Sequence, residues 1–256
     1  REDWLDMPAA CLDGTVAHFE KYLPPLFASY APDPTLGRLG LVGPRAVEAV
    51  AGFVPGAHPE ELEPLEGTLV SLSEVDVDAL ILRREPAEGD GFDLYVPLEG
   101  AVPTWRALCR AADGVGGGPA GQRAREVRRV ELGLPAFGSE IHGDTLPQET
   151  GQTDRAVSFD KGCYTGQEVV VRIEHRGQVN RHLRGLTFDE GALPEAGAAL
   201  FDGERQRGTV TTPVRSPRFG PIALGYVRRE VEPGASLSLE PEGPPACRVR
   251  ELPFDG

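Results

Sequence analysis

Residues 156–186 read AVSFDKGCYTGQEVVVRIEHRGQVNRHLRGL and join three kinds of local structure. A loop with two glycines comes first. Thr165, followed three residues later by Glu168, forms a capping box, which predicts that a helix begins here. Val169–Val171 favours an extended strand by propensity, so a strand stays the alternative for this part. The stretch ends at the first of several short predicted strands, and it therefore marks the passage into a strand-rich C-terminal part.

The C-terminal part alternates short apolar runs with turns rich in Gly, Pro and Asp. This pattern is typical of a small antiparallel barrel or sandwich. The predicted strands are His182–Phe188, Gly208–Val214, Ile222–Val227, Ser236–Leu239 and Cys247–Leu252.

The N-terminal part mixes helices and strands, so the whole chain is expected to be α+β, with two α/β sandwich-like units before a C-terminal antiparallel β-barrel. The predicted helices are Pro8–Leu23, a helix from Ala46, and Ala101–Ala112, and the predicted strands are Leu36–Val42, Thr68–Leu72, Ala79–Leu82 and Phe92–Val96. A proline-rich acidic patch at 55–64 and a glycine-rich run at 114–121 read as connections. We expect four parts: a first domain at 1–54, a second at 55–121, a segment at 122–180 that packs back on the first domain, and a barrel at 181–256.

The segment Gln122–Leu132 is predicted to be an amphipathic helix. Ala124, Val127 and Val130 are expected to face inward. The four arginines of the segment are expected to lie mostly on its solvated face: Arg123, Arg125, Arg128 and Arg129.

The charge of the chain is uneven. The net charge is −14, and residues 1–100 carry 19 acidic and 6 basic side chains, whereas residues 101–256 carry 21 acidic and 20 basic ones. The acidic total argues against general nucleic-acid binding, and an anionic ligand is expected in the second part. The sequence contains no apolar run near the roughly 18 residues that span a bilayer and no leader peptide, which predicts a cytoplasmic protein without a membrane partner.

The four cysteines are far apart, with no CxxC pair and no histidines at zinc spacing. We therefore predict neither a metal site nor a disulfide framework. Cys11 and Cys109 lie in apolar, helix-like contexts and are expected to be small buried residues.

Cys163 has a different context, because Lys161 lies two residues before it and a predicted helix begins just after it. Helix-end amides and an ammonium group both favour a thiolate, which is the nucleophilic and metal-binding form of cysteine. Of the 26 basic residues 24 are arginines, and only Lys21 and Lys161 are lysines, which indicates a site that needs a compact amine. The structural alternative is an ordinary turn with a half-buried cysteine and a surface charge.

The quoted stretch resembles the signature of the YgfZ-type folate-binding proteins, a branch of the family that contains the aminomethyltransferase of the glycine cleavage system. The run KGCYTGQE carries the resemblance most specifically. RRVELGLPAFGSEIHGDTLPQE upstream and GTVTTPVRSPRFGPIALGYV downstream extend it over residues 122–229, and residues 1–112 are similar in outline.

The resemblance implies a fold and a function. Proteins of this type have three domains in a ring around a folate-size hole, bind tetrahydrofolate or a one-carbon derivative, and assist the assembly or repair of iron–sulfur clusters. The partners would be folate and iron–sulfur client proteins or assembly factors, and we expect a monomer. The family has further residues before the segment that matches Trp4, so the first domain is expected to be truncated at its N-terminus.

The resemblance also implies roles for individual residues. Lys161 and Cys163 match the functional pair of the family, and three neighbours would shape their loop: Tyr164, Gln167 and Glu168. Glu131 matches the acid that contacts the pterin, and a carboxylate suits the pterin amino group and ring NH. Arg172 and Arg176, one helical turn apart, are expected to meet the glutamate tail of folate.

Two other functions compete with this interpretation. An aminomethyltransferase of the glycine cleavage type would be a folate-dependent one-carbon transferase, and it would not need the Lys-Gly-Cys loop. An RNA or protein interaction module would use the arginine-rich runs at 122–129 and 172–184. These runs lack interleaved aromatic residues, so direct nucleic-acid binding is the weaker option. An indirect link to tRNA modification stays open, since some modifying enzymes contain iron–sulfur clusters.

Overall fold

The computed structural model describes residues 4–54, 56, 58–85, 90–164, 166–191 and 193–254, with the side chains of residues 172–176 outside the description. The fold is α+β, as the sequence predicts. The chain divides into two compact units, residues 12–121 and residues 1–11 together with 122–256. None of the helices in the described ranges is both long enough and apolar enough to cross a membrane.

The unit at 12–121 contains a four-stranded antiparallel sheet in the order β1-β4-β3-β2. Its strands are β1 (Leu36–Val42), β2 (Gly67–Leu72), β3 (Val77–Arg83) and β4 (Gly91–Pro97). Its helices are α1 (Leu12–Tyr22), α2 (Ala46–Phe53) and α3 (Leu98–Gly114). The helices and strands expected here are confirmed, with shifted ends.

The core of this unit lies between the sheet and the helices α2 and α3. Phe92, Leu94 and Val96 of β4 are fully buried in it, because β4 is an inner strand of the sheet. The neighbouring Asp93 is also buried, and it accepts hydrogen bonds from Arg38 at 2.7 Å and from Arg84 at 3.0 Å. Two guanidinium groups thus compensate the carboxylate, as a buried charge requires.

This core joins elements that the sequence had assigned to two domains. Strand β1 precedes residue 55 and β4 follows it, yet the two strands pair along their whole length, from Leu36 opposite Pro97 to Val42 opposite Gly91. Because one sheet holds both parts, residues 12–121 share one core, and the expected boundary between residues 54 and 55 lies inside it. The expected packing of 122–180 against the first domain stays a prediction.

The second unit contains a six-stranded antiparallel sheet in the order β6-β7-β8-β5-β10-β9. Its strands are β5 (Arg181–Phe188), β6 (Ala199–Asp202), β7 (Arg205–Ser216), β8 (Gly220–Arg228), β9 (Ser236–Leu237) and β10 (Cys247–Arg250). Phe201 and Ser238 exchange two backbone hydrogen bonds of 2.9 Å, and these bonds join the two edges of the sheet, at β6 and next to β9. The predicted barrel is confirmed as a nearly closed one.

Strand β8 lies at the centre of this barrel, and its residues Pro221–Val227 are all buried. Successive residues of a strand point to opposite faces. Ala223 and Val227 belong to one core, and Leu224 and Tyr226 belong to another, on the face where Val130 packs. The core that contains Leu224 and Tyr226 therefore fixes the helix of Val130, which precedes the barrel in the chain, against the barrel.

That helix, α4 (Gln122–Glu131), is present as expected, but the predicted orientation of two side chains is wrong. Val130 is buried as predicted, whereas Ala124 is exposed. Arg129, expected to face solvent, is only 14% exposed in its side chain and bonds to carboxylates of the same unit. Arg129 also donates to the hydroxyl of Thr212 at 3.0 Å, a contact with a distant strand that helical spacing does not reveal. Two more helices follow, the short α5 (Thr153–Ala156) and α6 (Gln167–Arg176).

Gly91→Ala should destabilise the unit at 12–121. A Cβ atom at residue 91 would lie 2.3 Å from the carbonyl oxygen of Leu41, so the backbone of the β1–β4 pair must move. We expect a loss of about 1–3 kcal/mol in the free energy of unfolding, measured by urea denaturation. Gly52→Ala is the matched control, because a Cβ there meets no atom within 4 Å in helix α2, and it should gain about 0.5–1 kcal/mol. Equal effects of the two variants would contradict the packing argument.

Candidate functional site

The loop before α6 is held in a tight turn. Gly166 has a φ of +91°, a conformation that favours glycine. The backbone N–H of Tyr164 donates to the side-chain oxygen of Gln167 at 3.3 Å, and the N–H of Gln167 donates to the carbonyl of Tyr164 at 3.2 Å. The helix is confirmed over the extended alternative. Thr165, the first residue of the expected capping box, lies outside the described residues.

Cys163 lies on this loop, four residues before α6 begins, and its side chain is exposed. None of the four cysteines, all of which the structure describes, forms a disulfide: Cys11 and Cys109 are half-buried, and Cys247 is buried. The expectation of burial thus holds only in part for Cys11 and Cys109. The structural alternative of a half-buried cysteine at residue 163 is not observed, and this thiol is open to reagents and partners.

Lys161 is exposed on the same loop, and its ammonium nitrogen lies 4.5 Å from the centre of the Tyr164 ring. This cation–π contact holds the lysine on its own loop. Lys21, the other lysine, makes a similar contact with Tyr22 at 4.8 Å. The structure therefore joins Lys161 with Tyr164, and Tyr164 with Gln167.

Helix α6 is fixed by the short 3₁₀ turn Pro147–Glu149. The side-chain amide of Gln148 donates to the carbonyl of Val170 at 2.9 Å. Glu168 is exposed on the helix. The side chains of Arg172 and Arg176 lie outside the described part, so their expected contact with a glutamate tail stays a prediction.

A cavity of about 640 Å³ lies beside this turn, with Gln148, Val179 and His182 in its wall. Burial, together with the nearby Arg184, lowers the pKa of His182, so its imidazole is neutral at pH 7. Neither Cys163 nor Glu131 contributes to this wall.

Glu131 is buried, with 4% of its surface exposed. Its Oε1 accepts a hydrogen bond of 2.6 Å from the hydroxyl of Ser216, and its Oε2 accepts a longer one of 3.3 Å from Arg128. The carboxylate therefore links α4 to the end of β7. Only Oε2, whose partner is a half-exposed arginine, can exchange its contact for an external donor without breaking this link.

A second buried carboxylate, Glu140, was not identified from the sequence. It is fully buried and accepts four hydrogen bonds: from Arg129 and the backbone N–H of Ala136 at 2.9 Å each, and from the hydroxyls of Thr211 and Thr212 at 2.6 Å each. The sequence contains one sign that this acid is buried. Its neighbours in the run Ala136–Ile141 are small or apolar and supply no basic side chain to pair with the carboxylate.

The electrostatics of this cluster depend on Arg129. Burial alone would lower the pKa of Arg129, but hydrogen bonds and attraction from Glu126 and Glu140 raise it above its ordinary value. The hydrogen bond from Arg129 in turn lowers the pKa of Glu126. Loss of one partner from such a buried pair costs about 3–5 kcal/mol, because the other charge is left uncompensated. The cluster is therefore structural and fixes α4 against β7.

No group of three or more His, Cys, Asp or Glu side chains in the described ranges is arranged to hold a metal ion. The candidate site thus consists of the exposed Cys163 loop with Lys161, Tyr164 and Gln167, and of Glu131 on a separate element.

Cys163 should be the first thiol to react with an alkylating reagent, because it alone among the four cysteines is exposed. Burial raises the pKa of Cys247 to about 11, so this thiol stays neutral and unreactive at pH 8 in the folded protein. Mass spectrometry of peptides from a timed iodoacetamide reaction measures the order. The fast phase should disappear in Cys163→Ser, and a fast phase that persists in this variant would contradict the assignment.

Comparisons with known proteins agree with this architecture. A family model described as the GCVT N-terminal domain matches residues 2–161, and one described as the Glycine cleavage T-protein C-terminal barrel domain matches residues 181–255. A crystal structure of glycine cleavage system aminomethyltransferase T from Bartonella henselae is similar, with a TM-score of 0.77 and 26% sequence identity over 96% of this chain and 66% of that one.

Two relatives named aminomethyltransferase show the same likeness in sequence. The protein from Chlorobium chlorochromatii is 32% identical over 224 residues, which are 86% of this chain and 60% of the relative. The protein from Symbiobacterium thermophilum is 34% identical over 192 residues, which are 74% of this chain and 50% of the relative. The chain thus spans about half to three fifths of the length of these curated relatives. It belongs to the glycine cleavage T-protein family.

Proposed function

We propose that this protein binds tetrahydrofolate and assists the assembly or repair of iron–sulfur clusters, in the manner of the YgfZ-type members of its family. The exposed thiol of Cys163, on a loop with Lys161, is the observation that carries the proposal. A cysteine that served only packing would be buried, as Cys247 is. An exposed cysteine that serves a function offers its sulfur to another molecule.

The chemistry of the loop suits this function. Thiolates are ligands for iron and participate in sulfur transfer, and Lys161, two residues away in the chain, places a primary amine on the same loop. The ring of Tyr164 holds the Lys161 ammonium at 4.5 Å from its centre, which keeps the charge on the loop. Iron or sulfur would be cargo here, received from or delivered to a client protein.

Folate binding is proposed from family membership and from the hydrogen bonds that the Glu131 carboxylate accepts. Family members that transfer aminomethyl groups use tetrahydrofolate, and a carboxylate is a suitable acceptor for the pterin amino group. In this chain Oε1 is engaged by Ser216 at 2.6 Å, so Glu131 would offer Oε2 to the pterin after release of Arg128. Arg172 and Arg176 remain the proposed partners of the glutamate tail. Tetrahydrofolate would supply one-carbon chemistry at its ring nitrogens.

A second candidate function is aminomethyl transfer, which the names of the relatives favour. This reaction takes its carbon from a lipoyl-bound aminomethyl group and has no need of an exposed cysteine. An aminomethyltransferase would therefore retain its activity in Cys163→Ser, whereas the accessory protein would lose its function. The expected cytoplasmic location and monomeric state stay predictions.

Glu131→Gln should weaken tetrahydrofolate binding about tenfold, because it removes the charge that meets the pterin while an amide oxygen can still accept from Ser216. Isothermal titration calorimetry measures the affinity. Glu140→Gln is the matched control: it removes an equally buried carboxylate, so it should lower stability and leave the affinity of the folded fraction unchanged. An unchanged affinity in Glu131→Gln would contradict the role of Glu131, and no binding by the wild type would contradict the folate proposal.

Lys161→Arg should reduce the activity of iron–sulfur enzymes severalfold in cells whose only copy of this protein is the variant, because the proposed function needs a compact primary amine on this loop, which a planar guanidinium does not replace. Cys163→Ser should reduce it at least tenfold. Lys21→Arg is the control, since Lys21 is the other lysine and also lies over a tyrosine ring. Full activity in both loop variants would leave the accessory function without support.

A further inference from the structure

A cleft of about 890 Å³ lies on the barrel, away from the Cys163 loop. Gly138, Ser139, His142 and Glu149 belong to its lining, together with residues of strands β5, β7 and β8. Its volume is in the range of pockets that hold small molecules. The proposed function assigns no role to this cleft.

Three arginines from adjacent strands line the cleft: Arg181, Arg207 and Arg228. Arg181 of β5 and Arg228 of β8 are direct partners in the sheet. On the opposite side of β8, Gly208 of the antiparallel strand β7 pairs with Val227. The preceding residue of β7, Arg207, therefore lies next to Arg228. Paired residues present their side chains on the same face, about 5 Å apart. The strands thus form a row of three guanidinium groups.

Among the described residues, Arg181 is the only one of the three with a carboxylate within hydrogen-bond distance. Arg181 donates to Glu149 at 2.9 Å, and its guanidinium lies 4.5 Å from the centre of the Tyr226 ring. Both contacts fix Arg181 in place. This pairing leaves its two neighbours as the sources of positive charge in the row.

Arg207 and Arg228 retain unused donors. The nearest acid to Arg207 is the exposed Asp202 at 4.0 Å, beyond hydrogen-bond distance, and the buried Nε of Arg207 has no hydrogen-bond partner among the described residues. For Arg228 the described part of the chain supplies no carboxylate within 4.0 Å. Like charges on neighbouring strands repel, so this face of the barrel favours an anion.

We propose that this cleft binds a small ligand with two or more phosphate or carboxylate groups, held by Arg207 and Arg228. The guanidinium group presents a planar fork of donors that matches both kinds of anion. One strand spacing separates the two forks, which suits a diphosphate or two neighbouring carboxylates. The ligand would contact Arg228 at the exposed end of β8 and satisfy the buried Nε of Arg207.

Calorimetric titration of the full chain with pyrophosphate and, separately, with citrate tests the proposal. At least one probe should bind at low salt, and Arg228→Gln or Arg207→Gln should weaken binding about tenfold, the usual effect of losing a charge-assisted contact. Arg250→Gln is the matched control, because Arg250 is an exposed strand arginine of the same barrel outside the cleft. It should bind like the wild type.

The two probes distinguish the sources of the anion. Tighter binding of pyrophosphate indicates a phosphate-bearing ligand, and tighter binding of citrate indicates a polycarboxylate. The proposal is overturned if neither probe binds the wild type, or if Arg228→Gln and Arg250→Gln bind equally. A thermal unfolding scan of each variant confirms that it is folded, and the probe should stabilise the wild type and Arg250→Gln more than it stabilises Arg207→Gln or Arg228→Gln. The assay contains no folate and no client protein, so its result is independent of the proposed function.

Discussion

The buried carboxylate of Glu140 is the constraint on which the second unit depends. A fully buried charge is tolerated only when donors surround it, and here the donors come from helix α4, from the backbone at Ala136 and from strand β7. All three elements must be in place together before the charge is compensated. The cluster therefore fixes the segment that follows α4 on the outer face of the barrel.

Two regions with a proposed function depend on that segment. Its last turn contains Gln148, which holds helix α6 and so positions the loop of Cys163. The same turn contains Glu149, which holds Arg181 in the cleft of the barrel. The segment has little regular structure of its own, so side-chain hydrogen bonds take the place of a helix or sheet in positioning the site. This positioning role explains why the Glu140 carboxylate accepts four hydrogen bonds.

Much of the fold follows from local patterns, and the exceptions have physical causes. Strand β6 is not predicted from the sequence, because its four residues are too few to show an alternation of apolar and polar side chains. The division at residue 54 was misplaced because pairing of β1 with β4 is a contact between distant parts of the chain. Arg129 was assigned to solvent because a helical pattern reports amphipathicity and contains no information about partners on a barrel strand.

The sequence by itself determined the order of helices and strands, the antiparallel barrel, the family likeness and the Lys-Gly-Cys loop, because these depend on residues close together in the chain. Only the tertiary structure decided which charges are buried. Glu131 and Glu140 are acids in one short segment, and their burial follows from hydroxyl groups on β7, more than 70 residues away. The row of arginines in the cleft likewise depends on the tertiary structure. Its three residues are far apart in the chain, and the register of three adjacent strands brings them side by side.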